Sequence, residues 1–283
     1  MFVAELARGA NSAPEVKSRP PVLVELFTSE GCSSCPPADR LLEKLDHQPV
    51  PGAEMIVLSE HVDYWNRVGW KDPYSARLYS DRQNAYAKRF GLEGVYTPQM
   101  VVDGSSEFVG SNEASASEAV VKALRVPKLA IYVSSVSSSH AGSVSAHVEI
   151  NELDRSFVSE TADIYGVLAL NHAESQVSGG ENAGHRLTHV AVVRTLTKIG
   201  ELKRNQSLSR DVQIPSANLG HESNLRLIIF VQETRQGRVL GATAVPVGLS
   251  RGLSANLPTS RTLDFYNGRL SVYKWLAAIA ARS

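Results

Sequence analysis

The sequence predicts two consecutive domains, an α/β domain and then an all-β, sandwich-like domain. Up to about residue 126, β-rich runs alternate with helical patterns in the order β-α-β-α-β-β-α. Past Pro127, β-rich runs follow one another with turn residues between them, which is typical of an antiparallel sandwich. The predicted division is an extended N-terminal lead-in (1–20), the α/β domain (21–126), the sandwich-like domain (127–250) and a C-terminal extension (251–283).

The elements of the first domain follow from hydrophobic spacing. "VLVELF" (22–27) is an apolar run broken only by Glu25, the pattern of a strand buried on both faces of a parallel sheet. "PPADRLLEKLD" (36–46) has helical spacing, and "EMIVLSEHVD" (54–63) is the next strand. A helix over 74–90 stops at Gly91. A hairpin with its turn at Asp103-Gly104 and a helix over 111–126 complete the domain.

The second domain is predicted from six β-rich runs, which begin at residues 128, 142, 162, 189, 225 and 239. "GGENAGHRLTH" (179–189) is Gly-rich and is predicted to be a loop, and we do not expect His185 and His189 to bind a metal. "YKWLAAIAA" (273–281) is predicted to be a docked terminal helix.

Composition narrows the possible partners. The 283 residues carry 29 Lys and Arg against 29 Asp and Glu, so no excess of positive charge points to nucleic acid. No apolar run reaches the ~20 residues of a membrane span. The N-terminus also lacks the basic start and long apolar run of a secretory signal.

The two cysteines of the chain, Cys32 and Cys35, lie between a predicted strand and a predicted helix. A helix N-terminus has unpaired N–H groups and a partial positive charge, which favour a thiolate over a thiol. The first cysteine, expected to be the more exposed, is then the nucleophile, and the second resolves the mixed disulfide. This predicts a thiol–disulfide oxidoreductase acting on protein or small thiol substrates, with no organic cofactor.

Other interpretations of the cysteines stay open. Two thiolates with His61 would suit copper(I), which makes copper delivery the metal alternative. A passive disulfide would constrain only a four-residue loop. In that case the chain could be a binding module without catalysis.

Several polar and aromatic residues are candidates for the same site. His61 and Asp63 end the second strand, at the sheet edge where ligand sites gather, and Glu30 precedes the cysteines. They could tune the thiolates, or they could only fix the loop that follows. Trp65 and Trp70 could line a substrate groove, or they could only pack that loop onto the domain.

Three stretches, "LFTSEGCSSCPPAD", "SEHVDYWNRVGWKDPYS" and "YTPQMVVDG", together resemble a bacterial family of secreted thioredoxin-like proteins with an uncharacterised domain. The resemblance implies a thioredoxin-like domain over 22–125 and a periplasmic or extracellular location. It also implies a cis Thr97-Pro98 bond facing the cysteines, where the Thr97 backbone pairs with substrate.

The chain departs from thioredoxins proper in two places. Their buried acid is replaced by Leu26, while the acid Glu25 lies one residue earlier on the opposite strand face. Glu25 is expected either to be buried with a raised pKa or to reach solvent at an edge. The second departure is the insertion "YWNRVGWKDPYSA" after the second strand.

Overall fold

The computed structural model describes residues 19–139, 142–216 and 224–248. The N-terminal lead-in before residue 19, the C-terminal extension and its predicted helix lie outside the described residues. The first part contains β1 (Pro21–Thr28), α1 (Pro36–His47), β2 (Glu54–His61), a short 3-10 helix (Tyr64–Arg67), α2 (Arg77–Phe90), β3 (Gln99–Val102), β4 (Ser106–Val109) and α3 (Glu113–Ala123). The second contains β5 (Ile131–Ser139), β6 (Ser143–Ile150), β7 (Thr161–Gln176), β8 (Arg186–Lys203), β9 (Leu208–Pro215), β10 (Leu225–Glu233) and β11 (Val239–Pro246).

Local signals set the helix ends. α1 begins with Pro36 and Pro37, whose missing N–H groups cost little in a first turn. α2 ends at Gly91, which adopts φ 70° while its N–H bonds to carbonyls of the last turn. The side chain of Asn112 accepts a hydrogen bond from the Ser115 N–H and so caps α3. These three helices confirm the helical patterns of the sequence.

The predicted fold class, a thioredoxin-like α/β domain followed by a separate all-β sandwich, is wrong. Strands from both parts of the chain form one mixed eight-stranded sheet, in the order β11-β10-β7-β8-β2-β1-β3-β4. β1 pairs in parallel with β2 and antiparallel with β3, and β2 meets β8 in parallel at Ser59 and Val192. Over the described residues, therefore, strands dominate and no separate thioredoxin-like domain is formed. Pairings between residues this far apart leave no trace in local hydrophobic spacing.

The eight-stranded sheet is covered by helices on both faces and by a second, smaller sheet. α1 and α3 cover β1 and β3, and the α1 core also contains Val190 and Ala191 of β8. α2 lies on the other face, where Tyr79 packs among residues of β1, β2, β7, β8 and β10. A second sheet, in the order β5-β6-β9, packs on β7, β10 and β11.

Among the residues that the structure describes, no helix combines the length and the apolarity needed to cross a bilayer.

Candidate functional site

Cys32 and Cys35 form a disulfide where β1 leads into α1, with their Cα atoms 5.4 Å apart. Cys35 is the N-cap of α1, and its carbonyl accepts the Ala38 N–H at 2.8 Å. Both cysteines have 0% of their surface exposed. The expectation that Cys32 is the more exposed of the two is therefore wrong, since both cysteines are buried while Ser33 and Ser34 between them are exposed.

The segment before β3 lies beside this disulfide. The Thr97-Pro98 peptide bond is cis, as the resemblance implies. The Ser34 hydroxyl lies 3.4 Å from Cys32 Sγ and 3.5 Å from the Thr97 carbonyl oxygen. Trp65 donates its indole N–H to the Thr97 hydroxyl at 2.7 Å. The structure thus brings Thr97 and Trp65 to the cysteine connection.

Five buried ionisable residues are packed together near the cysteine connection, and we call them the buried cluster: Glu30, Asp39, His61, Asp72 and His189. His61 Nδ1 lies 2.7 Å from Asp72 Oδ2, which also accepts the Glu30 N–H at 2.9 Å. His189 Nε2 lies 3.4 Å from Glu30 Oε1, and its Nδ1 lies 3.8 Å from Asp39 Oδ1. The two imidazole rings meet edge to face, with centroids 4.7 Å apart.

Contacts in the buried cluster lower the pKa of Asp72 and raise the pKa of His189. Burial alone would raise the pKa of Asp72, but the charge and hydrogen bond of His61 outweigh it and lower the pKa to about 2. Burial alone would lower the pKa of His189, but the carboxylates of Asp39 and Glu30 raise it to about 10. At neutral pH His189 is therefore an imidazolium held between two acids.

The cluster contains polar atoms without hydrogen-bond partners, which are Glu30 Oε1, Asp39 Oδ1, His61 Nε2 and both nitrogens of His189. Within the described ranges, no group of three or more His, Cys, Asp or Glu side chains is arranged to hold a metal ion. Of the alternative copper ligands, the two sulfurs are bonded to each other and His61 is paired with Asp72. Nothing in this geometry favours the copper alternative.

Two predicted site residues, Trp70 and Asp63, bond to residues other than the cysteines. Trp70 donates its indole N–H to Glu30 Oε2 at 2.8 Å, so it contacts the buried cluster and fastens the inserted loop. Asp63 begins the 3-10 helix and accepts the Ser80 hydroxyl of α2 at 2.5 Å. Asp63 therefore belongs to the α2 surface and makes no contact with the cluster.

Glu25 lies on the α2 face of the sheet and is completely buried, which settles the two expectations in favour of burial. It accepts a hydrogen bond from Arg82 at 2.6 Å and another from the Tyr86 hydroxyl at 2.5 Å. Next to it, burial and the Glu25 charge raise the pKa of Glu60 well above its ordinary range.

Sequence reasoning missed the residues that come from the second half of the chain. Asn182, in the connection between β7 and β8, donates to the carbonyls of Glu30 and Cys32, both at 2.9 Å. Its neighbour Glu181 accepts the Ser33 N–H at 3.0 Å. His189 lies on β8, which begins at Arg186, three residues before the β-rich run predicted from residue 189. The sequence separation of about 150 residues hid these contacts, and only the cluster "GGEN" marked the connection as a turn.

Comparison with known proteins gives a family and several folds. The family described as "Protein of unknown function (DUF1223)" matches residues 23–232. Protein AGR_C_4864 from Agrobacterium tumefaciens is 21% identical with a TM-score of 0.63, over 83% of this chain and 97% of that one. HBP35 of Porphyromonas gingivalis is 12% identical with a TM-score of 0.58, and the match covers 86% of this chain and 80% of that one. No curated protein matches the chain.

Proposed function

This chain belongs to the DUF1223 family, whose function is unknown, and we propose that it is a thiol–disulfide oxidoreductase using Cys32 and Cys35. In the oxidative direction, a substrate thiolate attacks one sulfur and the other leaves as a thiolate. A second substrate thiolate then releases the substrate disulfide, and the protein keeps both electrons as a dithiol. The reverse sequence reduces a disulfide, with Cys32 attacking and Cys35 resolving.

The observation that carries the proposal is the position of the disulfide at the start of α1. The first N–H groups of a helix have no partner inside the helix, and they stabilise negative charge next to them. Cys35 occupies the N-cap, where no side chain caps the helix. A thiolate released there is stabilised, which makes reduction of the pair easier.

The neighbouring surface supports a role in binding an extended substrate. The Thr97 carbonyl lies 3.5 Å from the Ser34 hydroxyl, and the Thr97 side chain is fixed by Trp65. Trp65 and Thr97 are both partly exposed beside the buried disulfide. We therefore assign backbone pairing with the substrate to Thr97, with Pro98 as the wall behind it.

Location is part of the proposal. We assign the protein to the periplasm or the cell exterior, because a disulfide persists in such oxidising compartments. Alkylating the thiols of intact cells with a membrane-permeant reagent, before lysis and fractionation, tests this point. A pair found reduced in the cytoplasmic fraction would contradict the assignment.

The test of the function is an equilibrium titration in glutathione redox buffers, with free thiols trapped by an alkylating reagent that adds mass. We expect one two-electron transition within the range of known exchange catalysts, on the order of −120 to −270 mV. A pair that stays oxidised below about −300 mV is a structural disulfide, and the proposal then fails.

Two variants sharpen this test. Cys35→Ser removes the resolving thiol, so Cys32 should accumulate as a mixed disulfide with glutathione. Cys32→Ser should remove exchange activity on a protein disulfide completely. If Cys32→Ser changed only the stability, the chain would be a binding module with an inert disulfide.

A further inference from the structure

We propose that the connection between β7 and β8, residues 177–185, is a cover over the disulfide that must move before a thiol reaches either sulfur. Asn182 is the positioning residue that holds this cover closed. The inference rests on the proposed function, since it says how partners of that reaction gain access. The cover and the cysteines come from opposite halves of the chain.

Hydrogen bonds tie the cover directly to the cysteine connection. Asn182 is 6% exposed, and its amide donates to two backbone carbonyls, those of Glu30 and Cys32. Glu181 accepts the backbone N–H of Ser33, which lies between the cysteines. These three bonds occupy polar backbone groups that a substrate peptide would otherwise meet.

A close backbone approach seats the cover on the inserted loop. A Cβ on Gly179 would lie 2.3 Å from the Gly69 carbonyl oxygen, closer than any side chain tolerates. Gly180 has φ +71°, which favours glycine, and a Cβ on it would lie 3.2 Å from Trp70 Cβ. Glycine at 179 is therefore required for the closed position, independently of Asn182.

The chemistry requires this cover, or another covering segment, to open. Exchange proceeds by direct attack of a thiolate on a disulfide sulfur, with the second sulfur leaving as a thiolate. A sulfur with no exposed surface cannot be attacked, and both cysteines are 0% exposed. The rate of reduction thus reports the population of the open form, when opening and closing are fast relative to attack.

The experiment measures how fast excess dithiothreitol reduces the disulfide of the full chain, with thiols counted by alkylation at intervals. Dithiothreitol supplies both electrons and leaves as its cyclic disulfide. We expect Asn182→Ala, which loses two hydrogen bonds, to be reduced about tenfold faster or more. Gly179→Ala should also be reduced faster, because the added Cβ displaces the cover while Asn182 and Glu181 keep the groups that form those bonds.

Asn224→Ala is the matched control. Asn224 also makes two amide–backbone bonds, to the N–H and carbonyl of His172, at a place away from the disulfide. Its bonds are exposed, so the loss should lower the stability by less than the loss of the Asn182 bonds, and the reduction rate should stay within about twofold of the wild type. Thermal unfolding of all three variants, followed by circular dichroism, confirms that each one folds.

The outcomes separate the two proposals. If Asn182→Ala and Gly179→Ala are reduced at the wild-type rate, the cover does not control access and the inference is overturned. If Asn224→Ala accelerates reduction as much, opening is global and the inference is also overturned. If the cover variants are faster but the wild type exchanges no disulfide with glutathione, the cover stands and the proposed function fails.

Discussion

Single residues in the buried cluster link stability to pH, and Asp72 does so on the acidic side. Its folded pKa of about 2 lies below the ordinary 3.8. The contacts of the ionised Asp72 carboxylate therefore stabilise the fold above about pH 4, and this contribution is lost as the pH falls through 2. The inserted loop depends on this carboxylate, because Glu30 and Tyr74 also donate their N–H groups to it.

We expect Asp72→Asn to lower the free energy of unfolding by about 2 kcal/mol at pH 7, because the contacts that favour the ionised Asp72 carboxylate are lost. Urea unfolding between pH 7 and pH 2.5 should show the difference narrowing as the pH falls. Asp154→Asn is the control, since Asp154 is exposed and its carboxylate bonds only to Ser156, so its effect at either pH should be much smaller. If Asp72→Asn and the wild type differed in free energy of unfolding by the same amount at pH 7 and pH 2.5, the stabilising charge would not be that of Asp72.

His189 acts on the basic side. Its folded pKa of about 10 lies above the ordinary 6.5, so its contribution is complete below pH 6.5 and is lost as the pH rises through 10. We expect His189→Gln to lower the free energy of unfolding by about 3 kcal/mol at pH 6, since it leaves two buried carboxylates without their cation. This loss in the free energy of unfolding should become smaller toward pH 10.5 in the same urea assay. An equal cost at both pH values would mean that His189 is neutral.

At the scale of elements, α1 is fixed at both ends by contacts with the second part of the chain. Its first turn meets β8, where Asp39 faces His189. Near its last turn, Asp46 receives two hydrogen bonds from the Arg226 guanidinium of β10, at 2.6 and 3.0 Å. The helix that begins next to Cys35 is therefore positioned by contacts with residues that lie 150 and 180 positions further along the chain.

We expect Asp46→Asn to lower the free energy of unfolding by about 1–3 kcal/mol, because a partly buried two-bond ion pair is broken. Glu113→Gln is the matched control. Glu113 of α3 contacts Lys44 of α1 at a largely exposed position, and such a contact is worth less than about 1 kcal/mol. Chemical denaturation of both variants measures the difference. Equal losses would show that the Asp46 pair contributes no more than a surface contact.

Helices and most strands could be predicted from the sequence because their signals are local. "VLVELF" is buried throughout, and Gly91 ends α2 as expected. β9 was missed because only Val212 and Ile214 of its eight residues are buried. The pairing of β2 with β8 could not be predicted, since parallel strands in contact share no local pattern. For the same reason, Cys32 and Trp65 were found but Asn182 and His189 were not.

At the scale of the whole molecule, the eight-stranded sheet makes the two parts of the chain depend on each other. Val190 and Ala191 of β8 lie in the α1 core, and the Tyr79 hydroxyl of α2 bonds to the Val193 carbonyl. Gln232 of β10 bonds to Arg82 and Tyr86 next to Glu25. The first part alone would leave this sheet edge and these polar groups uncovered.

We therefore expect a fragment of residues 1–126 to show no cooperative thermal transition by circular dichroism, because its core is incomplete. Mixing it with a fragment of residues 127–283 should restore a transition if the two reassemble. The full chain is the control. A sharp transition for the first fragment alone would show that the boundary near residue 126 separates independent domains.

The long separation between the cysteines and their cover also has a consequence in time. Synthesis proceeds from the N-terminus at about 5–20 residues per second, and Asn182 follows Cys32 by 150 positions. For roughly 8 to 30 s the cysteines exist as a nascent chain without the segment that later shields them. An oxidant that meets the growing chain can join the sulfurs in this interval, before the finished protein closes over them.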